Sequence, residues 1–298
     1  MEDFDEKCNI CPKNCDVNRK VQRGFCSMSN RVKISRAALH AWEEPCISGD
    51  KGSGTVFFSG CNMKCVFCQN KEISTGGFGK EISIEHLCDI FLELEEKGAL
   101  NINLVTPTHY TLQIISAVKA ARAKGMSLPI VYNTSGYEKV ETLKMLEGIV
   151  DVYLPDFKYF DGNTALKYSG AKDYPQVAIA AIREMVRQKP TCIFDENGII
   201  TSGVIVRHLI LPSQTGAAKD ILEHLYSQYK DNIFISLMSQ YTPCTDLSEY
   251  EEINRKLTKS EYDEVVDYAI YLGVKNGFVQ DGQAADESFI PPFDLEGV

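Results

Sequence analysis

The stretch that decides the fold is residues 54–70, Gly-Thr-Val-Phe-Phe-Ser-Gly-Cys-Asn-Met-Lys-Cys-Val-Phe-Cys-Gln-Asn. Its apolar start, residues 55–58, predicts a short buried strand that breaks at Gly60. Three cysteines then follow in C-x3-C-x2-C spacing, namely Cys61, Cys65 and Cys68. Three thiolates are one short of the four ligands of an ordinary [4Fe–4S] cluster, so one iron stays open for a substrate or cofactor. A structural zinc knuckle is the alternative, but it takes four ligands and no histidine lies close in sequence.

A second group of cysteines lies within the first fifty residues. These four, the leader cysteines, have the spacing C-x2-C-x3-C-x10-C and are Cys8, Cys11, Cys15 and Cys26. Too few apolar residues surround them to build a core, so a bound metal is expected to hold the segment together. Four thiolates suit either tetrahedral zinc or a second [4Fe–4S] cluster. We predict a cysteine-rich metal-binding extension over residues 1–50 and a catalytic domain over residues 51–298.

The chain has the composition of an acidic globular protein. Its 298 residues carry 31 Lys and Arg against 41 Asp and Glu, which gives a net charge of −10. Such a chain is a poor general ligand for nucleic acid or an anionic membrane, and no apolar run is long enough to span a membrane. The N-terminus is acidic and lacks the apolar core of a signal peptide. Because eleven cysteines in a cytoplasmic protein point to metal rather than disulfides, we expect a cytoplasmic metalloprotein.

Residues 12–36 are a basic exception, with seven Lys and Arg against Asp16 alone. The segment is either a solvated face or a docking surface for an acidic electron donor. A reduced flavodoxin or ferredoxin is the donor that such a surface fits.

From residue 55 onward, strand-like and helix-like segments alternate. After the first strand, the predicted strands are 101–105, 128–132, 150–154, 204–211, 232–237 and 277–280, with a hairpin turn at 196–198. The predicted helices are 84–96, 112–124, 140–146, 176–188, 217–229 and 260–272. Such alternation implies a parallel sheet with right-handed crossovers. We therefore predict an α/β fold, a partial (β/α)6 TIM-like barrel with a small cysteine-rich N-terminal extension. A doubly wound open sheet is the alternative.

The cysteine loop resembles that of the radical S-adenosylmethionine (SAM) enzymes. The aromatic Phe67 before the last cysteine and the Gln69-Asn70 pair after it are similar to pyruvate formate-lyase activating enzymes. Together with the leader cysteines and the segments 52–55, 105–110 and 239–241, they resemble the PflX-like branch of those activators. The resemblance implies a [4Fe–4S] cluster whose open iron binds SAM, and a 5′-deoxyadenosyl radical that abstracts hydrogen from a substrate. It also implies that this substrate is a glycyl residue of a partner enzyme.

The resemblance further implies cofactor contacts at the ends of successive strands. The candidates are Phe67, Thr106, His109, Asn133, Ser135, Asp156, Lys158, Arg207 and Gln240. Two segments depart from the activating-enzyme pattern, because residues 106–109 replace a Gly-Gly-Glu segment and Asn133 replaces an aspartate. Each candidate also has a structural reading, such as a helix cap, a turn or a salt bridge. Arg207 is expected to bind the SAM carboxylate or a substrate anion, and strand alternation places it on the opposite face from His208.

Two other functions are compatible with parts of the sequence. A non-catalytic iron–sulfur or zinc protein that relays electrons or scaffolds a partner accounts for the cysteines and for the missing Gly-Gly-Glu segment. RNA modification by a radical SAM enzyme rests only on the basic segment, and the net charge of −10 opposes it.

Overall fold

A single ten-stranded sheet organises the protein. The structure, a computed structural model, describes residues 7–280 and 291–298. The strands of the described chain are β1 (Val32–His40), β2 (Ser53–Phe58), β3 (Lys80–Ile82), β4 (Ile102–Val105), β5 (Ile130–Thr134), β6 (Val152–Pro155), β7 (Ile193–Phe194), β8 (Ile200–Leu209), β9 (Phe234–Met238) and β10 (Gly277–Val279). Their order is β10-β9-β8-β6-β5-β4-β2-β1-β3, and β7 pairs with β8 to form the predicted hairpin.

The parallel strands add to the sheet in chain order. Strands β2, β4, β5, β6, β8, β9 and β10 are all parallel to one another in that row. A doubly wound sheet would reverse its strand order at a switch point, and this row does not reverse. The predicted α/β partial barrel is confirmed, and the doubly wound alternative is wrong. The row ends at β3 and β10, which are not paired with each other in the described ranges.

Helices connect the strands and cover the sheet. In the described chain they are α1 (Pro45–Ser48), α2 (Lys71–Ser74), α3 (Ile84–Glu96), α4 (Thr111–Ala123), α5 (Val140–Met145), α6 (Gly162–Ser169), α7 (Tyr174–Gln188), α8 (Thr215–Tyr229) and α9 (Lys259–Leu272). The starts of α3 and α9 show why the sequence marks them well. Ser83 caps α3 by accepting from the His86 N–H, and Thr258 and Glu261 form a capping box at α9. None of the helices in the described ranges has the length and apolar character that a membrane crossing requires.

Strand β1 is the main element that the sequence patterns missed. It pairs antiparallel with β2, from Ile34 opposite Phe58 to His40 opposite Ser53. Its mixed burial gives no clean alternation, because a register shift interrupts it between Ile34 and Arg36. The predicted boundary between residues 50 and 51 stays a prediction, although β1, on the extension side of it, is hydrogen-bonded into the main sheet.

Helix α1 fills the interior of the partial barrel. Its Cys46 and Ile47 are buried against inward-facing residues of the parallel strands, namely Val131, Val152, Leu154, Ile200 and Ile205. This apolar layer closes the interior and leaves the carboxyl ends of the strands open for a site.

Candidate active site at the carboxyl ends of the strands

The carboxyl ends of the parallel strands surround a cavity of about 270 Å³, which we call the central cavity. Its lining includes every predicted catalytic and cofactor-contact residue except His109. Those that line it are Cys61, Cys65, Phe67, Cys68, Thr106, Asn133, Ser135, Asp156, Lys158, Arg207 and Gln240. The structure thus brings together residues from six segments that are far apart in sequence.

A glycine turns the chain from β2 into the cysteine loop. Gly60 has φ +87°, a left-handed conformation that residues with a Cβ rarely adopt. Its N–H donates to the Ile73 carbonyl at 2.8 Å, and Asn62 Nδ2 donates to the Tyr137 carbonyl at 2.7 Å. The first bond ties the loop to α2 and the second ties it to the segment after β5, so the cysteines are held at fixed positions beside the cavity.

The three loop cysteines are partly exposed and line one wall of the central cavity. Burial of the Cys61 thiol group raises its pKa, and the neighbouring sulfurs of Cys65 and Cys68 raise it further. The Cys65 sulfur accepts from Ser169 Oγ at 3.0 Å, and the Cys68 sulfur lies 3.4 Å from Ser74 Oγ. A metal ion supplies the charge that lets a thiol such as Cys61 ionise. Hydrogen bonds to ligand sulfurs are also the means by which proteins tune iron–sulfur potentials.

A buried ion pair stands beside the cysteines. Lys158 Nζ donates to Asp156 Oδ2, and both side chains are mostly shielded from solvent. Burial by itself lowers the pKa of Lys158, but Asp156 and then the Cys65 sulfur outweigh burial and raise this pKa above its usual value. The ammonium therefore stays charged and presents a fixed cation to the cavity, with Asp156 as a carboxylate next to it.

Tyr174 joins the segments that follow β5 and β6. Its hydroxyl donates to the Ser135 carbonyl at 2.8 Å and accepts from the Lys158 backbone N–H at 2.8 Å. This fully buried tyrosine fixes the backbone of two predicted contact residues at once. No sequence pattern marks Tyr174 as a site residue, because it starts α7 and is buried as an ordinary core aromatic would be.

Arg207 is placed differently from the expectation of a free anion-binding guanidinium. Its Nε donates to Glu44 at 2.7 Å, and its Nη2 donates to both Glu43 and Glu44. Glu43 also accepts from Asn103 Nδ2 at 2.8 Å. Two carboxylates therefore pair with this cation beside the central cavity, and its predicted contact with the SAM carboxylate or a substrate anion stays a prediction. His208 points to the other face, where its Nδ1 donates to the Phe157 carbonyl at 2.7 Å.

His109 is the predicted contact residue that the structure does not bring to the central cavity. It is 2% exposed and lies behind the loop, where its Nε2 donates to the Ser59 carbonyl at 2.8 Å. Burial, and then the nearby Arg19, lower the pKa of His109 to about 3, so the imidazole is neutral. Its position supports the turn at Gly60 rather than a cofactor.

Thr106 carries a backbone strain that sequence patterns do not show. It follows β4, lines the central cavity and has φ +59°. A β-branched residue in this left-handed region is an outlier, and such strain concentrates at functional sites. Its N–H donates to the Asn133 carbonyl at 2.9 Å, which holds the strained turn against β5.

We expect Thr106→Gly to raise the free energy of unfolding by about 1 kcal/mol, because glycine relieves the left-handed strain at a smaller entropic cost. Urea unfolding of the metal-free protein measures this change. The matched variant Thr106→Ser removes only the methyl group and should leave the strain in place. A loss of stability in Thr106→Gly would show that the turn is not strained.

Glu138 is a buried carboxyl group that the sequence analysis did not single out. It is 1% exposed, and its Oε1 accepts from the hydroxyls of Thr108 and Thr134, which follow or end two neighbouring strands. Its Oε2 has no partner in the described structure. Burial raises the pKa of Glu138 to about 7, although the two threonine hydroxyls oppose the rise.

This raised pKa predicts a pH dependence of stability. The folded state holds the Glu138 proton up to about pH 7, whereas the unfolded state releases it near pH 4.5. Folding is therefore favoured at low pH, and wild type should lose about 2 kcal/mol of stability between pH 5 and pH 7 relative to Glu138→Gln. Parallel urea unfolding of the two metal-free proteins at pH 5 and pH 7 measures the difference. Equal pH dependence in both proteins would contradict the raised pKa.

A second cavity opens beside the first. This side cavity has a volume of about 530 Å³ and lies between the segment after β1 and the ends of β9 and β10. The two cavities share lining residues, namely Trp42, Glu43, Arg207, Met238 and Gln240. Through these shared walls the side cavity gives the central cavity a lateral extension.

Comparisons with known proteins agree with this geometry. The family model described as "Radical SAM superfamily" matches residues 55–225, from β2 to α8, and so includes the cysteine loop. The chain is 32% identical over 273 residues to the uncharacterized protein MJ0674 of Methanocaldococcus jannaschii, across 89% of this chain and 74% of that protein. It is 25% identical over 240 residues to MJ0808 of the same organism, across 74% of this chain and 66% of that protein.

Solved structures include a more distant similarity. Streptococcus suis SuiB, in a crystal structure with bound S-adenosylmethionine, is 14% identical and has a TM-score of 0.49. The match covers 74% of this chain and 48% of SuiB, so the chain spans about half of that protein's length.

Proposed function

The chain belongs to the radical SAM superfamily, and we propose that it is a cytoplasmic enzyme of the activating-enzyme-like, PflX-like branch, which abstracts hydrogen from a glycyl residue of a partner protein. The observation that carries the proposal is the cysteine loop, which opens onto a cavity ringed by polar strand ends. The proposed cofactors are a [4Fe–4S] cluster and SAM. The leader cysteines are proposed to hold a second centre, zinc or another iron–sulfur cluster.

The residues of the loop fit the cluster that this family uses. The three loop sulfurs line one cavity, and no fourth cysteine is among the described residues that line it. Two of the sulfurs already have a serine hydroxyl as a neighbour, as ligand sulfurs commonly do. When bound and reduced, the cluster supplies one electron to the sulfonium of SAM, which breaks the bond to C5′ and yields methionine and a 5′-deoxyadenosyl radical.

The chain's own residues would orient SAM and exclude water. Lys158 offers a fixed ammonium to the methionine carboxylate, and Asp156 beside it can accept from the ribose hydroxyls. The side chains of Thr106, Asn133, Ser135 and Gln240 supply further donors and acceptors around the same space. Phe67, 6% exposed and 5.8 Å edge-to-face from Tyr241, closes the apolar side of the cavity.

The side cavity provides the space for the proposed substrate. It reaches the central cavity past Trp42 and Gln240, so an extended chain entering there would lead to the loop. Its volume of about 530 Å³ exceeds the space that one glycyl residue needs, which fits a segment of peptide.

Reduced flavodoxin or ferredoxin is the proposed electron donor. The basic segment that motivated this partner is only partly available, because Arg19 is 3% exposed and Arg36 pairs with Asp294 and Glu296. Lys20, Arg23 and Arg31 remain exposed, and Arg31 forms a surface ion pair with Glu81.

The glycyl proposal is tested with a glycine-rich peptide that carries deuterium on the glycine Cα. Reconstituted, reduced enzyme is incubated with SAM and the peptide, and mass spectrometry reads deuterium in the 5′-deoxyadenosine formed. Transfer of deuterium is expected, because the radical abstracts from the Cα. The control peptide carries deuterium on alanine methyl groups instead. Formation of 5′-deoxyadenosine without deuterium from the glycine peptide would overturn the glycyl substrate and leave SAM cleavage intact.

A further inference from the structure

The leader cysteines gather behind the cysteine loop. Cys8, Cys11 and Cys26 are buried, and all four are free thiols. The Cys8 N–H donates to the Val17 carbonyl at 3.0 Å, which folds the segment back on itself. A Cβ placed on Gly24 would lie 3.6 Å from the sulfurs of both Cys15 and Cys26, so these two sulfurs flank one glycine.

Short contacts link the four cysteines, which lie between residues 8 and 26. The Asp16 N–H, beside Cys15, donates to the Cys8 carbonyl at 2.9 Å, and the Phe25 N–H, beside Cys26, donates to the Cys15 sulfur at 3.2 Å. Cys8 and Cys11 pack in one small apolar cluster. The fold of the leader therefore brings the four cysteines near one another.

A buried arginine beside them lacks an anionic partner. Arg19 is 3% exposed, and its guanidinium donates only to the carbonyls of His109 and Ser29. Its Nε has no partner, and among the residues that the structure describes no carboxylate lies within ion-pair distance. A buried charge without a counter-ion is strongly unfavourable, which implies a compensating anion that is not a carboxylate. Arg19 donates to the carbonyl of Ser29, three residues after Cys26, so the guanidinium lies against the segment that carries this cysteine.

A metal held by four thiolates supplies such an anion. A divalent ion with four cysteine thiolates has a net charge of about −2. Two cations lie on the segment of the leader cysteines: Arg19, which binds the Ser29 carbonyl, and Lys13, whose Nζ is 4.4 Å from the ring centroid of Phe25, the neighbour of Cys26. In the described structure no three His, Cys, Asp or Glu side chains are close enough to share one metal ion. Binding of a single zinc ion would therefore require the four sulfurs to move closer together. A [4Fe–4S] cluster would require less movement, because each sulfur binds a different iron.

The same segment contacts the turn that presents the catalytic loop. The Cys26 carbonyl and the Met28 side chain would meet a Cβ at Gly60, which shows how closely they approach that glycine. Phe25 lies under the ammonium of Lys64, a loop residue, with Nζ 4.5 Å from the ring centroid. Arg19 holds the backbone of His109, whose ring in turn supports Ser59.

We propose that the leader cysteines bind a four-thiolate metal centre, either zinc or a second [4Fe–4S] cluster, that compensates Arg19 and fixes the turn at Gly60. The centre thereby positions the catalytic loop without touching the substrate. This inference rests on the second centre named under the proposed function and deepens it, because it assigns Arg19 as the cation that the centre compensates and the turn at Gly60 as the element that it positions; it stands whether or not SAM is cleaved.

The test separates the two sites. The loop variant Cys61→Ser/Cys65→Ser/Cys68→Ser cannot hold the catalytic cluster, so metal that it retains belongs elsewhere. After anaerobic purification and a chelator wash, iron, zinc and sulfide are counted in this variant. We expect either about one zinc per chain or iron with sulfide. Loss of that metal in a variant that also carries Cys8→Ser and Cys11→Ser assigns it to the leader cysteines. A loop variant with neither metal would overturn the proposal.

A second arm tests the role of Arg19 through affinity. In the loop variant, Arg19→Met should weaken metal retention against a competing chelator about 10- to 100-fold, as loss of an outer-shell partner does. The exposed Arg23→Met is the matched control and should leave retention unchanged.

Hydrogen exchange tests whether the leader centre positions the catalytic loop, and it is measured on the chain with intact loop cysteines. The amides of residues 59–68 should exchange faster when Cys8→Ser and Cys11→Ser are introduced. Unchanged metal retention in Arg19→Met would overturn the role of the centre in compensating Arg19. Unchanged amide exchange in the variant with Cys8→Ser and Cys11→Ser would overturn its role in positioning the loop.

Discussion

Replacement of Cys65 by alanine is expected to reduce the formation of 5′-deoxyadenosine from SAM to background. Cys65 is the middle ligand of the loop, and its sulfur is held by Ser169 on one side and lies near Lys158 on the other. Without it, two thiolates remain, which are too few to hold a cubane with one open iron. The measurement is the yield of 5′-deoxyadenosine from anaerobically reconstituted, reduced protein, together with its iron and sulfide content.

The matched control for this variant is Cys244→Ala. Cys244 is exposed and does not line the central cavity. This control removes a thiol of the same type and should retain both the cluster and the activity. Activity in Cys65→Ala that equals that of Cys244→Ala would mean that the loop is not the catalytic centre.

Replacement of Gly60 by alanine is expected to have the second-largest effect. The left-handed φ of +87° alone costs a residue with a Cβ about 1–2 kcal/mol. The new Cβ would also lie 2.8 Å from the Cys26 carbonyl oxygen and would clash with Met28. Overpacking of this kind adds about 1–3 kcal/mol, because the backbone on both sides has to move. The free energy of unfolding of the metal-free protein and the cluster content after reconstitution should both fall.

Gly98 provides the control that isolates the clash. Its φ of +85° nearly equals that of Gly60, but a Cβ there meets nothing within 4 Å. Gly98→Ala should therefore lose only the conformational part of the stability and keep its full cluster content. Equal losses in the two variants would show that the contact between Gly60 and the segment of Cys26 and Met28 is unimportant.

The order of strands and helices could be predicted because each signal is local. Helix α3 has its cap and its apolar stripe within fifteen residues, and the parallel strands are short apolar runs between polar turns. The loop could be identified because three cysteines at fixed spacing are rare without a metal. The arrangement of strand ends followed from the parallel order, since all carboxyl ends meet at one edge.

The remaining features depend on contacts between distant parts of the chain. Arg207 was expected to bind the SAM carboxylate or a substrate anion. Its ion pairs with Glu43 and Glu44 could not be predicted, because these residues precede it by more than 160 positions. His109 follows a strand, as the other candidates do. It lies in a single turn of 3-10 helix, Thr108–Tyr110, which places its side chain behind the loop. The strain at Thr106 and the burial of Glu138 are properties of backbone conformation and packing, for which one sequence holds no pattern.

The most direct test of the central claim is the fate of SAM on the reduced wild-type protein. The protein is reconstituted anaerobically with iron and sulfide, reduced and mixed with SAM. The products are then quantified, and the electron paramagnetic resonance spectrum is recorded before and after SAM is added. We expect SAM to change the spectrum of the reduced cluster, and 5′-deoxyadenosine and methionine to form only when reductant is present. A fully loaded cluster whose spectrum does not change with SAM, with no 5′-deoxyadenosine, would rule out radical SAM chemistry and favour a non-catalytic electron-relay or scaffold protein.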